Sequence, residues 1–143
     1  MESRIAKDFR WEMGHRLPFH DGGCQNIHGH SYSMRVEVVG TVDSSTGMVM
    51  DYFDIKSLVQ PIVDSLDHSF LCDSSDTILM DFFRENPMKV NIVHFFSTAE
   101  NIAHYIMKRL IPGFQDFASI KTLRIRLCET ENTFAEVEHH FSR

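Results

Sequence analysis

The chain has 143 residues, 43% hydrophobic and 24% charged, with a formal net charge of -6. That length suits one domain over residues 1–143, with a single core burying roughly two thirds of the unfolded surface. An acidic balance with no basic stripe argues against nucleic-acid binding and leaves only a local patch for anionic small molecules.

Ile5, Phe9, Trp11 and Met13 fall at odd positions, in phase with Lys7 and His15, which predicts a strand from Arg4 to Leu17 whose end delivers His15 to the apolar face. Leu17-Pro18-Phe19-His20-Asp21-Gly22-Gly23 reads as turn chemistry. Tyr32, Met34, Val36 and Val38 then alternate with polar residues, and His28 and His30 share their parity, so this strand turns both imidazoles inward. After a polar loop from Gly40 to Gly47, Asp54 is expected to cap a helix with Ile55, Leu58, Val59, Ile62 and Leu66 on its buried stripe. Pro61 is expected to kink or shorten that helix, and Asp67-His68 to lie at its end.

Residues 71–94 carry no clear period. Asp73-Ser74-Ser75-Asp76 reads as a loop and Ile78 to Phe83 as a short helical turn. Ser97-Thr98-Ala99-Glu100 has the form of a capping box opening a second helix through Ile102, Ala103, Ile106 and Leu110, ended by Pro112-Gly113. Leu123 to Leu127 and Thr133 to Phe141 read as two more strands, with a turn at Glu131-Asn132. The expected fold is α+β in the order β-β-α-α-β-β, a four-stranded antiparallel sheet with two helices on one face. Its two open edges favour pairing between subunits, hence a ring-like homo-oligomer. No run resembles a signal peptide or reaches membrane-spanning length, so no membrane partner and a cytoplasmic location are expected. Cys24, Cys72 and Cys128, odd in number and far apart, read as reduced thiols.

The chemistry gathers at Cys24-Gln25-Asn26-Ile27-His28-Gly29-His30, with His15 nine residues before the cysteine. His15, His28 and His30 supply three neutral nitrogens, the number a catalytic zinc commonly takes while keeping a fourth position for water or substrate. Cys24 reads either as a fourth ligand, which would close the site into a structural zinc module without turnover, or as a reactive thiol beside the metal.

His15, the Cys24-x3-His28-Gly29-His30 motif, Met48-Val49-Met50-Asp51, Leu66-Asp67-His68, Thr98-Ala99-Glu100-Asn101 and Cys128-Glu129-Thr130 together resemble the 6-pyruvoyl tetrahydropterin synthase superfamily. The three-residue interval between Cys24 and His28 is similar to its 6-carboxy-5,6,7,8-tetrahydropterin synthase branch in queuosine biosynthesis. The resemblance implies the tunnelling fold, with sheets joined into a barrel in a trimer or hexamer and active sites between subunits. It implies Zn2+ on His15, His28 and His30, Cys24 as the proton-abstracting thiolate, and Asp67 and His68 as a proton-relaying pair. Glu129 would anchor the pterin, with Thr98 and Glu100 also at the substrate; Glu100 otherwise reads as a capping residue and Asp67-His68 as a plain helix end. The implied substrate is 7,8-dihydroneopterin triphosphate, converted to 6-carboxytetrahydropterin, acetaldehyde and triphosphate, with 6-pyruvoyl tetrahydropterin as the alternative product.

Overall fold

The alternation along both arms of the first hairpin is carried into the structure, a computed structural model that describes residues 1–143. Strand β1 (Glu2–His15) runs antiparallel to β2 (His28–Thr41) over its whole length, from Glu2 opposite Thr41 to His15 opposite His28. Phe9, Trp11, Met13 and His15 are buried on one face with Tyr32, Met34, Val36 and Val38, while Arg10, Glu12, Ser31 and Arg35 cover the other. Strand β2 pairs on its far side with β5 (Ile120–Thr130), which pairs with β6 (Thr133–His140), both antiparallel. Helices α1 (Tyr52–Leu66) and α3 (Ala99–Gln115) close the apolar face, burying Ile55, Val59 and Leu66 with Ile102, Ile106, Leu110 and Phe114 in the same core.

The sheet has six strands rather than four, and the molecule three helices rather than two. The added unit is the stretch without period: β3 (Ser69–Asp73), α2 (Thr77–Glu85) and β4 (Val90–Val93). Strand β3 pairs parallel with β1 and β4 parallel with β3, so the sheet is mixed, in the order β4-β3-β1-β2-β5-β6. Leu71, Cys72 and Asp73 are buried consecutively, and a strand buried on both faces shows no alternation.

Three helix boundaries also differ from expectation. Asp51, not Asp54, caps α1, its Oδ1 accepting from the Phe53 amide at 2.8 Å, and the helix continues through Pro61. Thr98, not Ser97, caps α3, its hydroxyl accepting from the Asn101 amide at 3.2 Å; Glu100 therefore sits one position too early for a capping box. Helix α3 also runs past Pro112-Gly113 to Gln115. A Cβ on Gly113 would lie 2.6 Å from Leu58 Cδ2, so this glycine serves the close packing of α3 on α1.

Candidate active site

The hairpin register places the three histidines. His15 closes β1 directly opposite His28, and Met13 lies opposite His30, so all three imidazoles converge at one end of the apolar face. Their ring centroids lie 4.7, 5.0 and 5.2 Å apart, and one nitrogen from each falls within 4.8 Å of the others. Gly29 between them lets the arms approach, since a Cβ there would lie 2.9 Å from the Met13 carbonyl oxygen.

Two rings are oriented by carbonyl groups. His15 Nδ1 lies 2.8 Å from the Ser97 carbonyl and 3.1 Å from its Oγ, and His28 Nδ1 lies 2.7 Å from the Asn26 carbonyl. A carbonyl only accepts, so both Nδ1 atoms carry the proton and both Nε2 atoms keep a lone pair. His15 is 1% exposed and its Nε2 is buried with no hydrogen-bond partner. A buried, unpaired imidazole lone pair beside two more histidines fits a bound cation.

Burial, opposed by the Ser97 carbonyl and helped by the charges of His28 and His30, lowers the His15 pKa to about 4. Burial and His28 lower that of His30 as well. Both rings are thus held neutral, as ligands must be. Beneath them, Glu129 on β5 sets one carboxylate oxygen 3.9 Å from His15 Nε2 and the other 3.9 Å from His30 Nε2. Burial raises the Glu129 pKa, and nearby Glu100 pushes the same way. The Tyr32 hydroxyl donates to Glu129 Oε1 over 3.5 Å, and its ring stacks on Trp11 at 5.5 Å.

The remaining candidates divide between two places. Cys24 occupies a 3-10 turn, Gly23–Gln25, half-buried and outside the histidine group. Asp67 and His68 follow α1 at the edge of β1: the Asp67 carboxylate accepts the Glu12 amide at 2.9 Å and lies 3.0 Å from His68 Nδ1. The His68 amide donates to the Glu12 carbonyl at 2.6 Å. His68 lines a hollow of about 320 Å³ with Glu12, Ser31 and His30 at the edge of β1, and no hydrogen bond joins the dyad to Cys24 or His15. One chain therefore brings together His15, His28, His30 and Glu129, and sets His68 in an adjoining hollow that His30 also lines.

Residues 4–140 match the family model described as 6-pyruvoyl tetrahydropterin synthase. The chain belongs to that family. It is 36% identical to the 6-carboxy-5,6,7,8-tetrahydropterin synthase of Haemophilus influenzae, covering 94% of this chain and 98% of that protein. It is 31% identical to the protein of the same name from Aquifex aeolicus, covering 95% and 98%. Among solved structures, the 6-pyruvoyl tetrahydropterin synthase of Plasmodium vivax superposes with a TM-score of 0.79 over 99% of both chains, at 17% identity, a likeness of fold alone. No helix of this family member is long and apolar enough to cross a membrane.

Sequence reasoning missed Ser97, which it spent on a helix cap, and Tyr32, which it read only as core. It also gave no hint that His68 has a φ of +57°, the one positive φ outside glycine. A non-glycine residue in this left-handed region is strained, and such strain collects at functional sites. His68→Gly is therefore expected to leave thermal stability unchanged or raise it by up to about 1 kcal/mol while lowering turnover. Paired melting and rate measurements check this, and a fall in both would mean that His68 is structural.

The lowered histidines set a second expectation. Below pH 6.5 the unfolded chain takes up protons that the folded, metal-free chain refuses until about pH 4 at His15. Stability is thus full above pH 6.5 and falls toward pH 4, by at most about 3 kcal/mol from His15. Urea unfolding of metal-free protein at pH 7.5, 6 and 5 measures the slope. A flat profile would contradict the burial of a neutral His15.

Proposed function

We propose that this chain is a zinc-dependent 6-carboxy-5,6,7,8-tetrahydropterin synthase, converting 7,8-dihydroneopterin triphosphate to 6-carboxytetrahydropterin, acetaldehyde and triphosphate in queuosine biosynthesis. The observation that carries the reading is the trio of His15, His28 and His30, two of them turned by carbonyl bonds so that Nε2 is free, in a chain of this family. The names of its curated relatives from Haemophilus and Aquifex support the product.

Held by His15, His28 and His30, zinc would supply Lewis acidity toward the hydroxyls and the adjoining C–H of the substrate side chain. Cys24, outside the ligand group, takes that proton as its thiolate. Glu129 holds the pterin edge, since two carboxylate oxygens accept two parallel N–H groups. Thr98, the cap of α3, and Glu100, in its first turn, contact the substrate at the same site, and the effect of Glu100 on the Glu129 carboxyl supports the placement of Glu100. Asp67 and His68, which make no hydrogen bond to Cys24 of their own chain, serve a neighbouring subunit, where the pair relays the proton between thiol and substrate. The enzyme is accordingly a homo-oligomer, a trimer or hexamer, with each site built from two chains.

The test is a product assay on zinc-loaded protein with 7,8-dihydroneopterin triphosphate. Acetaldehyde with 6-carboxytetrahydropterin is expected. Accumulation of 6-pyruvoyl tetrahydropterin would move the enzyme to the other branch of the family, and absence of turnover would reject the reading.

A further inference from the structure

Cys24 sits in a loop with little to hold it. Gly22 and Gly23 precede it, leaving the backbone free. The loop's own bonds are short-range, from the Gln25 amide to the Gly22 carbonyl at 3.3 Å and from the Asn26 amide to the Gly23 carbonyl at 3.1 Å. Two bonds tie the turn to the end of β1. The Leu17 amide donates to the Cys24 carbonyl at 2.7 Å, and Arg16 Nη1 donates to the Gln25 carbonyl at 3.2 Å. The first is a main-chain bond that is independent of side-chain identity. The second depends on one guanidinium.

That guanidinium is itself fixed. Arg16 Nε and Nη2 donate to Asp76 Oδ2 and Oδ1 at 2.6 and 2.8 Å, a forked pair that sets orientation as well as distance. The Asp76 side chain is 4% exposed and also accepts the Leu79 amide at 3.3 Å, capping α2. The β3-α2-β4 unit at the sheet edge thus reaches the Cys24 turn through one carboxylate. On the other side, the Arg16 carbonyl accepts the Ser97 hydroxyl at 3.3 Å, and Ser97 orients His15. The arrangement links the thiol-bearing turn and the first histidine to a common support.

We infer that Arg16, held by Asp76, is the positioning residue that fixes the Cys24 turn against the histidine trio. The inference rests on the reading of Cys24 as the reactive thiol. The Arg16 guanidinium is already engaged by Asp76 and the Gln25 carbonyl, and Asp76 is buried, so their loss is expected to act on the geometry of proton transfer and not on binding.

The experiment compares wild type, Arg16→Lys, Asp76→Asn, the double variant and Cys24→Ala, all zinc-loaded and assayed well below their melting temperatures. Lysine keeps the charge but cannot fork. Each single variant is expected to lose kcat by roughly ten- to a hundredfold, the scale of a small misplacement. KM should stay within about threefold, zinc content should not change, and the double variant should be no slower than the slower single. Melting temperatures that fall while kcat stays within about twofold would overturn the inference and leave the pair a structural bridge. Iodoacetamide labelling, read on the Cys24 peptide, gives an answer independent of turnover. The labelling rate should rise in both single variants, and an unchanged rate would overturn the inference. If the wild type makes no product, or Cys24→Ala keeps it, the reading of Cys24 fails instead, and labelling alone decides whether Arg16 positions the turn.

Discussion

Cys24→Ala is expected to lower turnover by roughly 10²–10⁴-fold, the usual contribution of a positioned acid or base, with zinc content and melting temperature unchanged. The expectation follows from where the thiol stands. It lies in the Gly23–Gln25 turn, half-buried, and belongs neither to the hydrophobic core nor to the histidine group. Alanine removes no ligand and little packing, so only the chemistry should suffer. Metal analysis beside steady-state rates makes the distinction. Loss of zinc along with rate would make Cys24 a fourth ligand and the site a closed one.

His28→Ala should have the complementary signature, with zinc affinity reduced more than about a hundredfold, beyond what removal of an outer-shell partner costs, and turnover abolished with it. The fold should survive, because the His28 side chain is only half-buried and lies outside the core cluster. Trp11 offers a direct reading. It is 2% exposed and stacked on Tyr32, whose ring meets His30 edge-on at 5.4 Å, so metal entering the trio changes the surroundings of the only tryptophan. Its emission should respond to zinc in the wild type and not in His28→Ala. A response of equal size at equal zinc concentration in the variant would mean that the metal sits elsewhere.

The legible parts of this molecule were those whose side chains alternate or repeat. One face of the first hairpin is buried and the other solvated, so parity alone assigned His15, His28 and His30 to one surface. Strands β3 and β4, short and parallel, left no such trace, whereas the short helical turn expected at Ile78 to Phe83 is α2, which buries only Leu79. Competing caps explain the boundary errors. Asp51 and Asp54 are both good N-caps, and the exposed Tyr52 and Phe53 that separate them carry no core signal. Ser97 and Thr98 compete in the same way, and the loser at the helix end became the partner of His15.

The site was legible to a similar degree. Neighbouring residues on one hairpin revealed the histidines, whereas the contacts that support them join distant segments. Ser97 lies 82 residues from His15, and Asp76 lies 60 from Arg16. Nor does the chain order say that Asp67-His68 would stand beside Glu12 at the edge of β1, with no hydrogen bond to Cys24. That follows only from the bonds that the Asp67 carboxylate and the His68 amide make to the Glu12 main chain.

The open three-histidine centre is tested most directly by zinc-edge X-ray absorption on the zinc-loaded protein. Three nitrogen neighbours with one further light ligand, and no sulfur, is the predicted shell. A sulfur neighbour would bring Cys24 onto the metal, close the fourth position, and contradict the assignment of that thiol as the base.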